Sequence, residues 1–265
     1  MVTKVQVNKG DFSQFLNQVG LSSRVPDCVL LAKSNQIQVK AVGHEHLVFL
    51  QGGLKAKTIE EGKIIIPSIQ QFQAVLDRFS SDTIQLQATT KNIKVLQKGK
   101  QGTFTIMAEH MMESTAGLSD FKETDYKKLY FKAKKNGIEA KFSKKNSFTT
   151  SVNVLKEIIS DATVVGEELY NFCFAADKNK LKVIIENDTK SARFTVIPEL
   201  EEVNITKNFR TTMGSGLREI VTSSGGEALV FFFNPKGKGL ASMPVWIKVG
   251  KFNYILQTQQ EAEEE

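Results

Sequence analysis

The chain has 265 residues, enough for one large domain or two of ordinary size. Its 41% apolar and 24% charged residues are a globular composition, which sets aside fibrous and low-complexity classes. No apolar run approaches the roughly 18 residues that span a bilayer, and MVTKVQVNKG at the start has no signal-peptide core. An intracellular protein with no membrane partner is therefore expected. Cys28 and Cys173 are too few for a disulfide framework and read as buried small apolar residues. The net charge of +6 admits an anionic partner without specifying one.

The alternation from Val2 to Val7 predicts a strand. A helix follows, with Asp11 as candidate N-cap and Phe12, Phe15, Leu16 and Val19 on one face. Past Pro26-Asp27, three strands are expected, at Cys28–Lys33, Ile37–Val42 and Leu47–Leu50. Lys63–Ile66 is a further strand. The stretch SIQQFQAVLDRF then carries a helical stripe of Ile69, Phe72, Leu76 and Phe79. DTIQLQA and NIKVLQKGKQGTFTIM supply three more strands, ending near Met107.

From Ala108 to Asp125 the pattern breaks into Ser, Thr, Gly and acidic residues, which reads as a linker. Tyr126–Phe142 is strand-like and rich in lysine. Ser147–Val164 is expected to be helical, with Val152, Leu155, Ile158, Ile159 and Ala162 inward. Strands are expected at Tyr170–Ala175, Leu181–Glu186, Ser191–Ile197 and Val203–Phe209. MGSGLREIVTS is a short amphipathic helix, EALVFFFN an apolar strand, and MPVWIKVGKFNYILQ two strands about a Gly-Lys turn. The order of elements in the first half thus recurs in the second at an offset of roughly 145 residues, the mark of a duplication. Glu261–Glu265 reads as a solvated acidic tail.

Catalytic and metal signatures are missing from the sequence. His44 and His46 would share one face of a strand but have no third ligand near them. QKGKQGT and NPKGKGLAS lack the spacing of a phosphate-cradling loop and read as hairpin turns. Three histidines and scattered carboxylates assemble no nucleophile–base constellation. The reading is of a protein that is not an enzyme and uses no cofactor or metal.

Taken together, the GHEHLVFL turn and strand, the helix after IIIPS, the mid-chain linker and the closing MPVWIKVGKFNYILQ resemble a DNA sliding clamp. This is the ring-shaped polymerase processivity factor, in its two-domain proliferating cell nuclear antigen form and its trimeric phage form. The C-terminal phrasing stands nearer the phage clamps. The resemblance implies an α+β fold of two duplicated clamp domains, each with two helices packed on antiparallel sheets. Domain boundaries are expected at residues 1–108 and 126–258, with a linker at 109–125 and a tail at 259–265. It further implies a homotrimeric ring around duplex DNA, tethering the DNA polymerase and other replication proteins, opened by a clamp loader. The location implied is the cytoplasm or nucleoid, or the host cytoplasm for a phage-encoded chain.

The resemblance also assigns residues. Facing DNA, in a sequence-independent way, would be Gln14, Gln18, Arg24, Gln70, Gln71, Arg78, Lys144, Lys145, Lys156, Arg210 and Arg218. A partner-peptide pocket would use Val42, His44, Met112, Leu118, Pro244, Tyr254 and Leu256. Subunits would join edge to edge through Gly102–Met107, with Phe104 and Ile106, and Ser191–Ile197, with Phe194 and Val196. Asp77, Glu157, Asp161 and Glu219 lie among the DNA-facing positions and would repel phosphate. Weak direct affinity, with retention by topology, is the expectation. Two other readings remain: a monomeric or dimeric clamp-fold subunit that holds DNA electrostatically, and a ring-forming structural protein without DNA.

Overall fold

The computed structural model describes residues 2–43, 48–106, 108–116, 146–165, 170–177, 180–187, 192–205, 209–214, 216–232 and 245–256. The chain divides into two units, residues 1–122 and 123–265.

Unit 1 opens with β1 (Thr3–Asn8), whose alternation turns Val5 and Val7 inward. The Asn8 side chain accepts the Asp11 N–H at 3.0 Å and so caps α1 (Lys9–Gly20). Asp11, expected as the cap, sits instead in the first turn, where its charge suits the helix N-terminus. Phe12, Phe15, Leu16 and Val19 are buried, as their spacing predicts. Five strands follow: β2 (Cys28–Lys33), β3 (Gln36–Val42), β4 (Val48–Lys55), β5 (Lys57–Glu60) and β6 (Gly62–Ile66). Ser68 caps α2 (Ile69–Leu76), and β7 (Thr83–Ala88), β8 (Asn92–Gln97) and β9 (Lys100–Thr105) complete the set. A 3-10 turn (Glu109–Met111) and the one-turn α3 (Glu113–Ala116) come next.

The strands pair antiparallel in two runs, β5-β1-β7-β8-β9 and β4-β3-β2-β6. Their inner faces supply Val5, Leu30, Ile37, Val39, Ile64, Leu86, Ile93 and Val95 to the unit's core.

Unit 2 repeats this order. It runs β10 (Asn146–Ser151), α4 (Val152–Asp161), β11 (Tyr170–Asp177), β12 (Lys180–Asn187), β13 (Arg193–Val196), β14 (Glu202–Ile205) and β15 (Phe209–Met213). Then come α5 (Gly216–Thr222), β16 (Glu227–Phe232), β17 (Val245–Val249) and β18 (Phe252–Leu256). The runs are β14-β10-β16-β17-β18 and β13-β12-β11-β15, each strand in the place of its counterpart in unit 1. Phe148 of β10 stacks on Phe174 of β11 at 6.0 Å between ring centroids, joining the two runs through the core.

Three expectations shift. Ser147–Ser151 is strand, not helix: Phe148 pairs with Val203 on one side and Val230 on the other, and its β-branched neighbours suit a central strand. The helix begins only after Ser151, whose side chain accepts the Val154 N–H at 3.3 Å. The strand expected at Val203–Phe209 is two, β14 and β15, so Met213 ends a strand rather than starting a helix; it is buried either way. β5 has no counterpart among the expected strands, being a four-residue edge with alternating polar residues.

Both cysteines are buried and free. They are not equivalent in the repeat, however. Cys28 pairs with Ile66 three residues before α2, whereas the residue pairing with Met213 three residues before α5 is Phe172. Cys173 is thus one position out of register and lies on the opposite strand face from Phe172 and Phe174. Burial, reinforced by the neighbouring Asp27 charge, pushes the Cys28 thiol up, so it is no nucleophile at neutral pH.

Candidate nucleic-acid interface and subunit edges

In each unit the two helices pack on one another. In unit 1 the contact is aromatic: Phe12 meets Phe72 edge-on at 6.2 Å, and Phe72 lies 4.9 Å from Phe104 of β9. Above these rings an amide bridge spans the pair, with Gln73 Nε2 donating to Asn17 Oδ1 and to the Ser13 carbonyl. Gln14, Gln70 and Gln71 remain exposed on this face, and Gln18 is half-buried. The only charged residues in either helix are Lys9 and Asp11 at the start of α1. Lys9 is turned aside to donate to the Phe79 carbonyl at 2.7 Å. Arg78 is exposed just past α2, beside exposed Asp77, and Arg24 is half-buried after a first 3-10 turn at Leu21–Ser23.

In unit 2 the exposed positions of α4 and α5 include Asn153, Lys156, Glu157 and Arg218. Asp161 and Glu219 are half-buried on the same helices. Lys156 and Arg218 are thus offset by acids, and neither helix pair has a cationic surplus. Arg210 stands apart. It lies on β15 with its Nε donating to Cys173 Sγ at 2.9 Å and its guanidinium 3.9 Å from Glu186. Arg193 approaches the same carboxylate at 3.4 Å. Arg210 therefore belongs to a sheet-face cluster. Lys144 and Lys145 lie outside the described residues.

Of the strands that end a sheet run among the described residues, two occupy the positions expected of subunit edges: β9 in unit 1 and β13 in unit 2. They differ in character. On β9, Phe104 is half-buried with its ring turned to Phe72, Ile106 just beyond is also half-buried, and Lys100 Nζ donates to the Arg78 carbonyl. On β13, Phe194 is 37% exposed and the following Ile197 is 77% exposed, with Val196 half-buried. An apolar, unpaired edge is a template for another strand. Ile197, the last residue of the expected edge, was not singled out with Phe194 and Val196, although its place just before Pro198 marks the end of the strand.

The pocket residues fare differently. Val42 at the end of β3, Met112 between the 3-10 turn and α3, and Tyr254 and Leu256 on β18 are all buried. Tyr254 stacks on Phe252 at 5.8 Å, and burial pushes its hydroxyl up, opposed by the adjacent Ser224 hydroxyl. It is a core residue of unit 2 and offers no open surface. His44, Leu118 and Pro244 lie outside the described residues. Among the described residues no group of three or more His, Cys, Asp or Glu could hold a metal ion, and no helix is long and apolar enough to cross a membrane.

Two units with this strand order, each backed by a helix pair, define the DNA clamp fold, and the chain has that fold. It is similar to DNA polymerase sliding clamps. DNA polymerase sliding clamp 1 of Saccharolobus solfataricus is 25% identical over 190 residues, 68% of this chain and 66% of that protein. The match therefore spans just under two thirds of that relative. Among solved structures, the DNA polymerase III beta subunit of Thermotoga maritima superposes with a TM-score of 0.67 at 13% identity, over 98% of this chain and 66% of that one. A. fulgidus PCNA, bound to the C-terminal region of FEN-1, gives 0.66 at 12% identity over 98% of this chain and 100% of that one. The PCNA2–PCNA3 complex of Sulfolobus tokodaii gives 0.62 at 15%, over 97% and 100%. No protein-family model matches the chain.

Proposed function

We propose that this chain is a DNA sliding clamp, which encircles duplex DNA and tethers a replicative polymerase and other replication proteins without catalysing a reaction itself. The observation that carries this reading is the clamp fold running through the whole chain, together with the curated relative that is itself a sliding clamp. The chain matches the full length of PCNA chains but 66% of a bacterial beta subunit. That favours the two-domain clamps as the model, and with them three copies per ring.

Charge points the same way. A subunit that held DNA electrostatically would need a surplus of Lys and Arg to displace counterions. The helix pairs supply amides at Gln14, Gln70 and Gln71, and cations offset by acids at Lys156 and Arg218. Amides bond phosphate without gripping it, which suits a ring that slides and is retained by closure. In the ring, β9 of one copy pairs with β13 of the next, covering Phe194 and Ile197; a head-to-tail contact of this kind closes with cyclic symmetry.

Light scattering on the purified chain tests the assembly. Three chains of 29.5 kDa per particle are expected, falling to one when Phe194→Asp and Ile197→Asp charge the β13 edge. A stable single chain before substitution, or a trimer indifferent to both substitutions, contradicts the ring built on this edge.

A further inference from the structure

Between the first 3-10 turn and β2 lies the dipeptide Pro26-Asp27, which touches two distant parts of unit 1. The Pro26 carbonyl accepts the N–H of Ile69, the first residue of α2, at 2.8 Å. Asp27 is 4% exposed, and both its carboxylate oxygens are engaged. Oδ2 accepts from the Glu113 N–H at 2.9 Å and Oδ1 from the Ser114 N–H at 3.0 Å. These are the first two residues of α3, whose N–H groups have no partner within their own short helix.

The surrounding segment is buried at two points, while His110, Met111 and Glu113 are exposed. Met112 and Ser114 are fully covered, and α3 lies against β2 and β3. The Thr115 hydroxyl donates to the carbonyls of Glu109 and Met112, closing the turn on itself. A second polar tie between this segment and the sheet is the Lys63–Glu109 ion pair at 2.7 Å, which is open to solvent on both sides and contributes little. Asp27 is different in kind. A buried carboxylate is costly unless hydrogen-bonded, and here the charge is compensated by the two N–H groups of the segment itself. When the segment lifts, carboxylate and N–H groups all regain water, so the contact can open without stranding a charge.

We propose that Asp27 is the latch that holds residues 109–116 on the sheet of unit 1. It thereby positions Met112, which the sliding-clamp reading places among the partner-binding residues; the latch itself concerns unit 1 alone and stands without that reading. A carboxylate is needed because two acceptors face two donors. Asparagine keeps one acceptor and sets its own N–H₂ against the other donor.

Hydrogen exchange on the full chain, followed residue by residue, reads the latch directly and needs neither DNA nor a polymerase. In Asp27→Ala the Glu113 and Ser114 amides are expected to exchange on the order of tenfold faster or more, while Leu30 and Val39 in β2 and β3 keep their protection. Asp27→Asn should fall between. If Asp27→Ala does not fold, Ser114→Pro removes one donor and leaves Asp27 in place, and the Glu113 amide should then exchange faster. Unchanged exchange at Glu113 in the variant that folds overturns the latch. So does acceleration spread evenly over unit 1, which would make Asp27 a support of the core.

Discussion

Thr150 is the residue at which the two halves of the chain differ most instructively. It precedes the capping Ser151 at the end of β10, as Val7 precedes the capping Asn8 at the end of β1. Val7 fills its place with methyl groups. Thr150 is fully buried and its hydroxyl meets no hydrogen-bond partner. An unpaired buried hydroxyl costs about 1–3 kcal/mol, and valine has nearly the same shape. Thr150→Val should therefore stabilise the chain by about 1 kcal/mol, seen as a higher urea midpoint with an unchanged slope. A lower midpoint would mean that the hydroxyl is satisfied after all. The cysteines show the same sensitivity: each lies in the first strand after its unit's opening helix, and a one-residue slip puts them on opposite faces of those strands.

Among the elements, β9 depends on its glycine. A Cβ at Gly102 would come within 2.8 Å of Val75 Cγ1 on α2, a side chain too short to move aside. With Gly102 in place, Phe104 reaches Phe72 and the edge strand lies flat on the helix. Gly102→Ala should force the two apart at a cost of about 1–3 kcal/mol, measured by denaturation, and an unaltered midpoint would show that α2 has room to yield. The helices were the most legible elements, because stripes such as Phe12-Phe15-Leu16-Val19 and Val152-Leu155-Ile158-Ile159 record burial on one face. Their starts were less so. A polar residue near a helix start is a candidate cap wherever it falls, and only geometry selects Asn8 over Asp11 and places the second unit's first cap at Ser151. β5 was illegible because an edge strand four residues long needs no apolar alternation. The hold of Asp27 on α3 reaches across 86 positions, and no local pattern announces it.

At the scale of the molecule, the duplication was readable and proves complete: every strand and each of the paired helices of unit 1 has its partner in unit 2. Where the proposed surface residues would lie was readable only in part. Resemblance pointed to helix faces and edge strands, and Gln14, Gln70, Gln71, Lys156 and Arg218 do stand exposed on helix pairs while β9 and β13 do lie at run ends. It could not foresee that Arg210 is drawn to Glu186, or that Tyr254 is sealed in the core, since both depend on contacts between strands distant in sequence. The helix faces that result are nearly neutral, so in the proposed clamp closure, and not charge, is the source of retention on DNA. The direct measurement is to load the chain on nicked circular duplex DNA, wash in high salt, and cut the circle once. The chain should survive the wash, because a closed ring is indifferent to screening, and run off when ends appear. Loss in the wash, or retention after cutting, would contradict it.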